Sequence, residues 1–188
     1  MRRIIFTSML VAILTVAMIP SAHAQDAQKQ EQSCKDFVQG FYNWYLGRSA
    51  VNAKSQTAGP AWDDVVRLRP QAFTPELLTL LKADLAASEA NHDDIVGLDW
   101  DPFLATQDPS TNFVVASAVV NNGRCNAVVN GIAHGKKRET VMPELSPSGA
   151  AWVFVNFHYK IDKTQSPADE NLIATLKLLA DERKKPVK

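Results

Sequence analysis

Between Ser33 and Gly47 the chain reads SCKDFVQGFYNWYLG, and within it Phe37, Phe41, Trp44 and Tyr45 recur at i, i+4, i+7 and i+8. That spacing predicts a helix with four aromatic rings along one face, and such a face requires a large apolar surface to lie on. Ser33 with Asp36 three residues later reads as a capping box at its start, and Gly47 suits the left-handed turn that ends a helix. This stretch holds five of the fifteen aromatic residues in the chain.

Residues 1–24 have the form of an export signal: Arg2 and Arg3, an apolar run from Ile4 to Ile19, then Pro20 and Ala22-His23-Ala24. Cleavage before Gln25 is expected, the alternative being a retained amphipathic or membrane anchor. Loss of Arg2 and Arg3 leaves 18 Lys and Arg against 20 Asp and Glu, a net charge of −2, which argues against nucleic acid as a partner. A periplasmic or secreted location follows, with no membrane contact once the signal is removed. Cys34 and Cys125 are the only cysteines, and in an oxidising compartment one disulfide between them is the expectation, two buried free thiols the alternative.

Gln25 to Gln32 is polar and reads as a flexible leader, so residues 33–185 form a single domain. Arg48 to Gly59 reads as a loop. Pro60 to Arg69 predicts a short helix with Trp62, Val65 and Val66 inward. Thr74-Pro75-Glu76 opens a further helix, capped by the threonine hydroxyl, with Leu77, Leu78, Leu81 and Leu85 on its apolar face. Ser166-Pro167-Ala168-Asp169 opens the last, with Leu172, Ile173, Leu176 and Leu179 as its stripe.

Four β-rich stretches lie between: Phe113 to Val120, Arg124 to Ala133, Arg138 to Leu145 and Ala150 to Tyr159. Asn121-Asn122-Gly123, His134-Gly135-Lys136 and Ser146-Pro147-Ser148-Gly149 supply the turns between them. Connections this short imply an antiparallel meander. The fold class is therefore α+β, with N-terminal helices and a C-terminal helix packed on an antiparallel sheet of about four strands. Strict alternation on the last strand puts Val153, Val155, Phe157 and Tyr159 on one face and Trp152, Phe154, Asn156 and His158 on the other. Both faces begin apolar, so this strand is expected to be central.

Between the helices and the sheet, Asp99, Asp101 and Asp108 cluster near Pro102 and Pro109. Asp99 and Asp101 have the start of a calcium-loop spacing, but the sixth position is Leu104 and the twelfth Ser110, where such a loop needs Gly and Glu. Fixing turns through backbone hydrogen bonds is the better reading of these acids. An isomerase-like site would pair a carboxylate in an apolar pocket with a phenol, and Asp101 with Tyr42 or Tyr45 has the right groups, although no spacing places them together. His92, His134 and His158 lack zinc-site spacing, and GxSxG, phosphate-loop and HExxH motifs are absent from the sequence. Lys136, Lys137 and Arg138 read as a solvated hairpin tip. No metal and no cofactor is implied.

The segments FVQGFYNWYL, TPELLTLL, DWDPFLATQD and AWVFVNFHY, the last followed by a leucine-rich helix, span nearly all of the mature chain, and the DPFL and QD pieces are the most specific. In them the sequence resembles a bacterial family of exported proteins known as domain of unknown function 3828. The resemblance implies a nuclear-transport-factor-like, or cystatin-like, cone in which helices close over a bent antiparallel sheet. Such cones include isomerases, dehydratases and non-catalytic binders, so the fold selects no reaction. On the last strand Asn156 and Phe157 stand where that pattern has an acid, and no acid is carried over to it.

The functional expectation is a non-catalytic domain binding a partner protein or a small apolar ligand between the aromatic helix and the sheet. Phe41, Tyr45, Trp152, Phe154, Asn156 and His158 are its candidate lining. A small cone-fold enzyme with Asp101 as base, or an envelope inhibitor of the immunity type, are the alternatives.

Overall fold

The expected capping box does not cap a helix start. Ser33 Oγ accepts a hydrogen bond from Trp152 Nε1 at 3.2 Å, and Asp36 takes the Gln32 amide at 2.7 Å, one turn back along the same helix. In the computed structural model the aromatic helix, α1, runs over Ala22–Asn52. The structure describes residues 22–52, 54, 61–91, 96–107, 110–160 and 171–185. The stretch expected as a flexible leader is thus within the first turns of α1, built mainly from Ala, Gln, Lys and Glu, which favour helix. Nor does Gly47 end it. Arg48 and Asn52 both reach Asp64 Oδ2, at 2.5 and 3.1 Å, which anchors the final turns and offsets the roughly 1 kcal/mol cost of an internal glycine.

Asp64 belongs to α2 (Ala61–Leu68), which turns Trp62, Val65 and Val66 inward as expected. A 3₁₀ turn over Pro70–Ala72 leads into α3 (Pro75–Ala90). Thr74 makes no side-chain cap there; its N–H instead donates to Phe154 O at 2.9 Å, tying the start of α3 to the sheet. The inward face of α3 is Leu77, Leu81 and Leu85, with a charged residue, Asp84, buried among them.

The sheet is an antiparallel meander of β1 (Asn112–Asn121), β2 (Arg124–Ala133), β3 (Lys136–Ser148) and β4 (Ala151–Tyr159), in spatial order β1-β2-β3-β4. The first two hairpins close on Asn122-Gly123 and His134-Gly135, both residues of each pair at positive φ, the geometry of two-residue turns that follow strand twist. The last helix, α4 (Leu172–Glu182), is capped by Asn171, whose side chain accepts from Ala174 N at 2.9 Å. The expected capping sequence at 166–169 lies outside the described residues. The protein is an α+β fold with helices packed on an antiparallel sheet, and its core joins α1, α3 and α4 to one face of that sheet.

Two expectations about β4 are overturned. It is an edge strand, not a central one. Nor does it alternate throughout: Leu145 pairs with Phe154 and Glu144 with Asn156, leaving Val155 as the extra residue of a bulge. Because side chains alternate with a period of two, the bulge inverts the phase, so that Trp152, Phe154, Phe157 and Tyr159 are all buried on the inner face. Asn156 and His158 are carried to the opposite face.

The sheet edges are covered rather than left open. On β1, the Gln39 amide of α1 donates to Phe113 O at 3.0 Å and accepts from Val115 N at 2.9 Å, standing in for a neighbouring strand. On β4, Phe73 and Asn171 form single bridges to Phe154 and His158.

Candidate functional site

The inward stripe of α1 is Cys34, Val38, Phe41, Tyr42 and Tyr45, with Phe37 and Trp44 flanking it half-buried. Cys34 forms a disulfide with Cys125 of β2, their Cα atoms 6.6 Å apart, which fixes the helix across the sheet. Above Phe41 and Tyr45, the space between α1 and the sheet is filled by the connection from α3 to β1, described over residues 96–107. Phe103 and Leu104 of that segment are fully buried.

Phe103 sits in an aromatic cage. Its ring centroid lies 5.5 Å from Phe41, 5.5 Å from Tyr45, 5.7 Å from Phe73 and 5.1 Å from Phe157, with Phe73 stacked and the others edge-on. Phe154 closes the base, 4.7 Å from Phe41 and 4.8 Å from Phe157.

All three tyrosines of the chain point their hydroxyls at this one segment. Tyr42 donates to Phe103 O and Tyr159 to Pro102 O, each at 2.9 Å, and Tyr45 donates to Asp101 Oδ2. The other Asp101 oxygen accepts from Phe103 N at 2.9 Å and Leu104 N at 3.1 Å. Burial pushes the Asp101 carboxyl up to about 6, against the three hydrogen bonds from Tyr45, Phe103 and Leu104, which favour the charged form. Burial first, and then the Asp101 charge, raises Tyr42 and Tyr45 well above the ordinary phenol value; burial, then the Tyr42 and Asp101 charges, does so for Tyr159. At neutral pH the three phenols are donors.

The candidate lining residues separate into three places. Phe41, Tyr45 and Phe154 come together around Phe103. Trp152 lies at the far end of β4 beside Ser33, at a groove of about 350 Å³ also lined by Lys29, Gln30, Gly123 and Pro147. Asn156 and His158 do not reach the cage. Asn156 Oδ1 accepts from Ile173 N at 3.1 Å while its amide donates to Asn171, so it fixes the start of α4, and His158 faces Glu144 at 3.5 Å. A bulge cannot be seen in the pattern of one strand alone, and these two residues were misplaced for that reason.

Of the acids, Asp99 is exposed and its carbonyl accepts from Gln107, whereas Asp101 turns inward, so the two share no ligand position. Asp108 lies outside the described residues. Among the described residues no group of three metal-ligating side chains converges. Tyr42, Phe73, Phe103, Phe157 and Tyr159 belong to the site but not to the expected lining. The available signal was that tyrosine occurs only three times, with Tyr45 and Tyr159 on faces read as apolar; Tyr42 lies off the expected stripe of α1.

No protein-family model, no curated protein and no solved structure matches the chain. Among the described residues no helix is long and apolar enough to cross a membrane.

Proposed function

We propose that the protein is an exported, non-catalytic binding domain that takes a small apolar ligand in the aromatic cage between α1 and the sheet. The observation that carries this reading is the cage itself: four rings and a fifth beneath them surround one phenyl group that belongs to a connecting segment rather than to α1 or the sheet. Stacked and edge-on π surfaces of this kind suit a flat, uncharged ring. Export is supported by the signal-like residues 1–24 and by the disulfide, which persists in oxidising compartments. Membership of the exported domain-of-unknown-function family is part of the same proposal and rests on the four sequence segments that carry the resemblance.

Native mass spectrometry of protein recovered through its own export signal tests the reading. The expected result is a small-molecule adduct released on denaturation and returned chemically unchanged. A bare mass, together with no thermal shift from any ring compound, overturns it.

One observation favours the enzyme reading. An inward carboxyl that titrates near 6 is hydrogen-bonded to a phenol, the pairing a proton-transfer site uses. Against it, both carboxylate oxygens are already engaged by the segment's own backbone and by Tyr45. Turnover of the retained molecule that disappears in Asp101→Asn would favour the enzyme.

A further inference from the structure

The segment that fills the cage is hydrogen-bonded mainly to itself. Asp101 N donates to Thr106 O at 3.2 Å, Ala105 N to Asp101 O at 2.8 Å, and Gln107 Nε2 to Asp99 O at 2.9 Å, while Asp101 Oδ1 holds the two amides inside the turn. Among the described residues none of 99–107 is paired into the sheet, and the bridge from Asp101 to Thr106 is internal. Ala105 closes the turn at φ 57°, a left-handed conformation uncommon outside glycine. Contact with the body includes the three tyrosine hydroxyls, the Trp100 ring edge-on to Tyr159 at 4.9 Å, and the buried side chains of Pro102, Phe103 and Leu104. A compact loop of this kind can leave as a unit, because its internal hydrogen bonds need not break.

We propose that residues 99–107 are a displaceable plug, with Phe103 occupying the pocket in place of the ligand's ring, and that ionisation of Asp101 favours release of the plug. The inference rests on the binding reading above and adds the ligand's chemistry and its control. Departure of the plug removes Phe103 O, Pro102 O and the Asp101 carboxylate, the acceptors of all three tyrosines. Buried hydroxyls left without acceptors are costly, so the pocket selects a phenyl-sized ring bearing a carbonyl or similar acceptor over a bare hydrocarbon.

The direction of the pH effect follows from the Asp101 environment. Docked, its carboxyl titrates near 6; released into water, near the ordinary 3.8. The docked form therefore holds its proton more tightly, so docking is strongest below the ordinary value and weakens as pH rises through about 6. The groups acting on Asp101 are the Tyr45 hydroxyl of α1 and the Phe103 and Leu104 amides of the plug itself. Its charge acts in turn on Tyr42 of α1 and Tyr159 of β4. Asp64 of α2, paired with Arg48, acts on Tyr45. Phe73 and Phe157 present no titratable group.

The test combines hydroxyl-radical footprinting with a fluorinated probe. Labelling of the Phe103 ring, fully buried while the plug is docked, is expected to rise about tenfold between pH 5 and 7.5 in the wild type and to stay level in Asp101→Asn. 4-Fluoroacetophenone, followed by fluorine NMR, is expected to bind the wild type about tenfold more tightly at pH 7.5 than at pH 5, and fluorobenzene at least tenfold more weakly than the ketone. Phe103→Ala, or Phe103→Leu where the alanine variant does not fold, is expected to bind the ketone at both pH values. Level labelling of Phe103 in the wild type overturns the plug. If the folded Phe103 variant still binds the ketone in that case, the binding reading stands without it. If that variant binds nothing, the pocket and the binding reading fall together.

Discussion

Phe154 and Phe157 are three residues apart on one strand, yet their rings lie on the same face with centroids 4.8 Å apart. Val155, unpaired between the Phe154–Leu145 and Asn156–Glu144 partners, makes this possible. Were Val155 paired in strict alternation instead, Phe157 and Tyr159 would leave the core, and Tyr159 could not hold Pro102.

Deletion of Val155 by itself restores strict alternation with the same four rings inward. The deletion variant is expected to fold and to lose no more than about 2 kcal/mol by urea titration, the lost local twist being its main penalty. Deletion of Val153 instead turns Trp152 outward and breaks its bond to Ser33, which Trp152 fluorescence reports in a variant with the other tryptophans replaced. Equal tolerance of the two deletions would remove the assigned role of the bulge.

Asp84 is buried on α3, bonded to the Arg183 guanidinium beyond the end of α4 and accepting from Leu98 N at 3.0 Å. Gly97 permits that approach, since a Cβ there would stand 2.9 Å from Asp84 Oδ2. Asp84→Ala strands a largely buried guanidinium and a backbone N–H, and a loss of about 3 kcal/mol is expected. Asp84→Asn, which still offers an acceptor to Leu98, loses less. Urea unfolding of both variants decides it, and an alanine loss below about 1 kcal/mol contradicts the assignment.

Gln39 replaces a missing strand at the β1 edge by donating to Phe113 O and accepting from Val115 N. Gln39→Leu removes both bonds, so a stability loss of about 1–3 kcal/mol is expected, with faster aggregation on heating as the strand edge becomes available to other chains. Gln39→Glu keeps the acceptor but not the donor and falls between. Light scattering alongside thermal melts distinguishes the three, and identical aggregation onset for all would show that the edge needs no cover.

Much of the architecture was legible locally. The helical spacing of Phe41 and Tyr45, the paired positive-φ turns at Asn122-Gly123 and His134-Gly135, and the runs of β-branched residues are set by interactions within a few residues. They fixed the α+β class and the order of its elements, and two cysteines in an exported-looking chain were enough to expect their disulfide. What the chain alone left open were choices between competing partners far apart in sequence. Ser33 lies inside a helix already begun at Ala22 and its hydroxyl meets Trp152, 119 residues away; α1 passes Gly47 because Asp64 holds its last turn; β4 changes phase where β3 gives it no partner for Val155. Asp101 meets Tyr45 for the same kind of reason. A carboxylate and a phenol separated by 56 residues have no local preference for each other, and only the packing of α1 over the sheet brings them into one low-dielectric space where each needs the other.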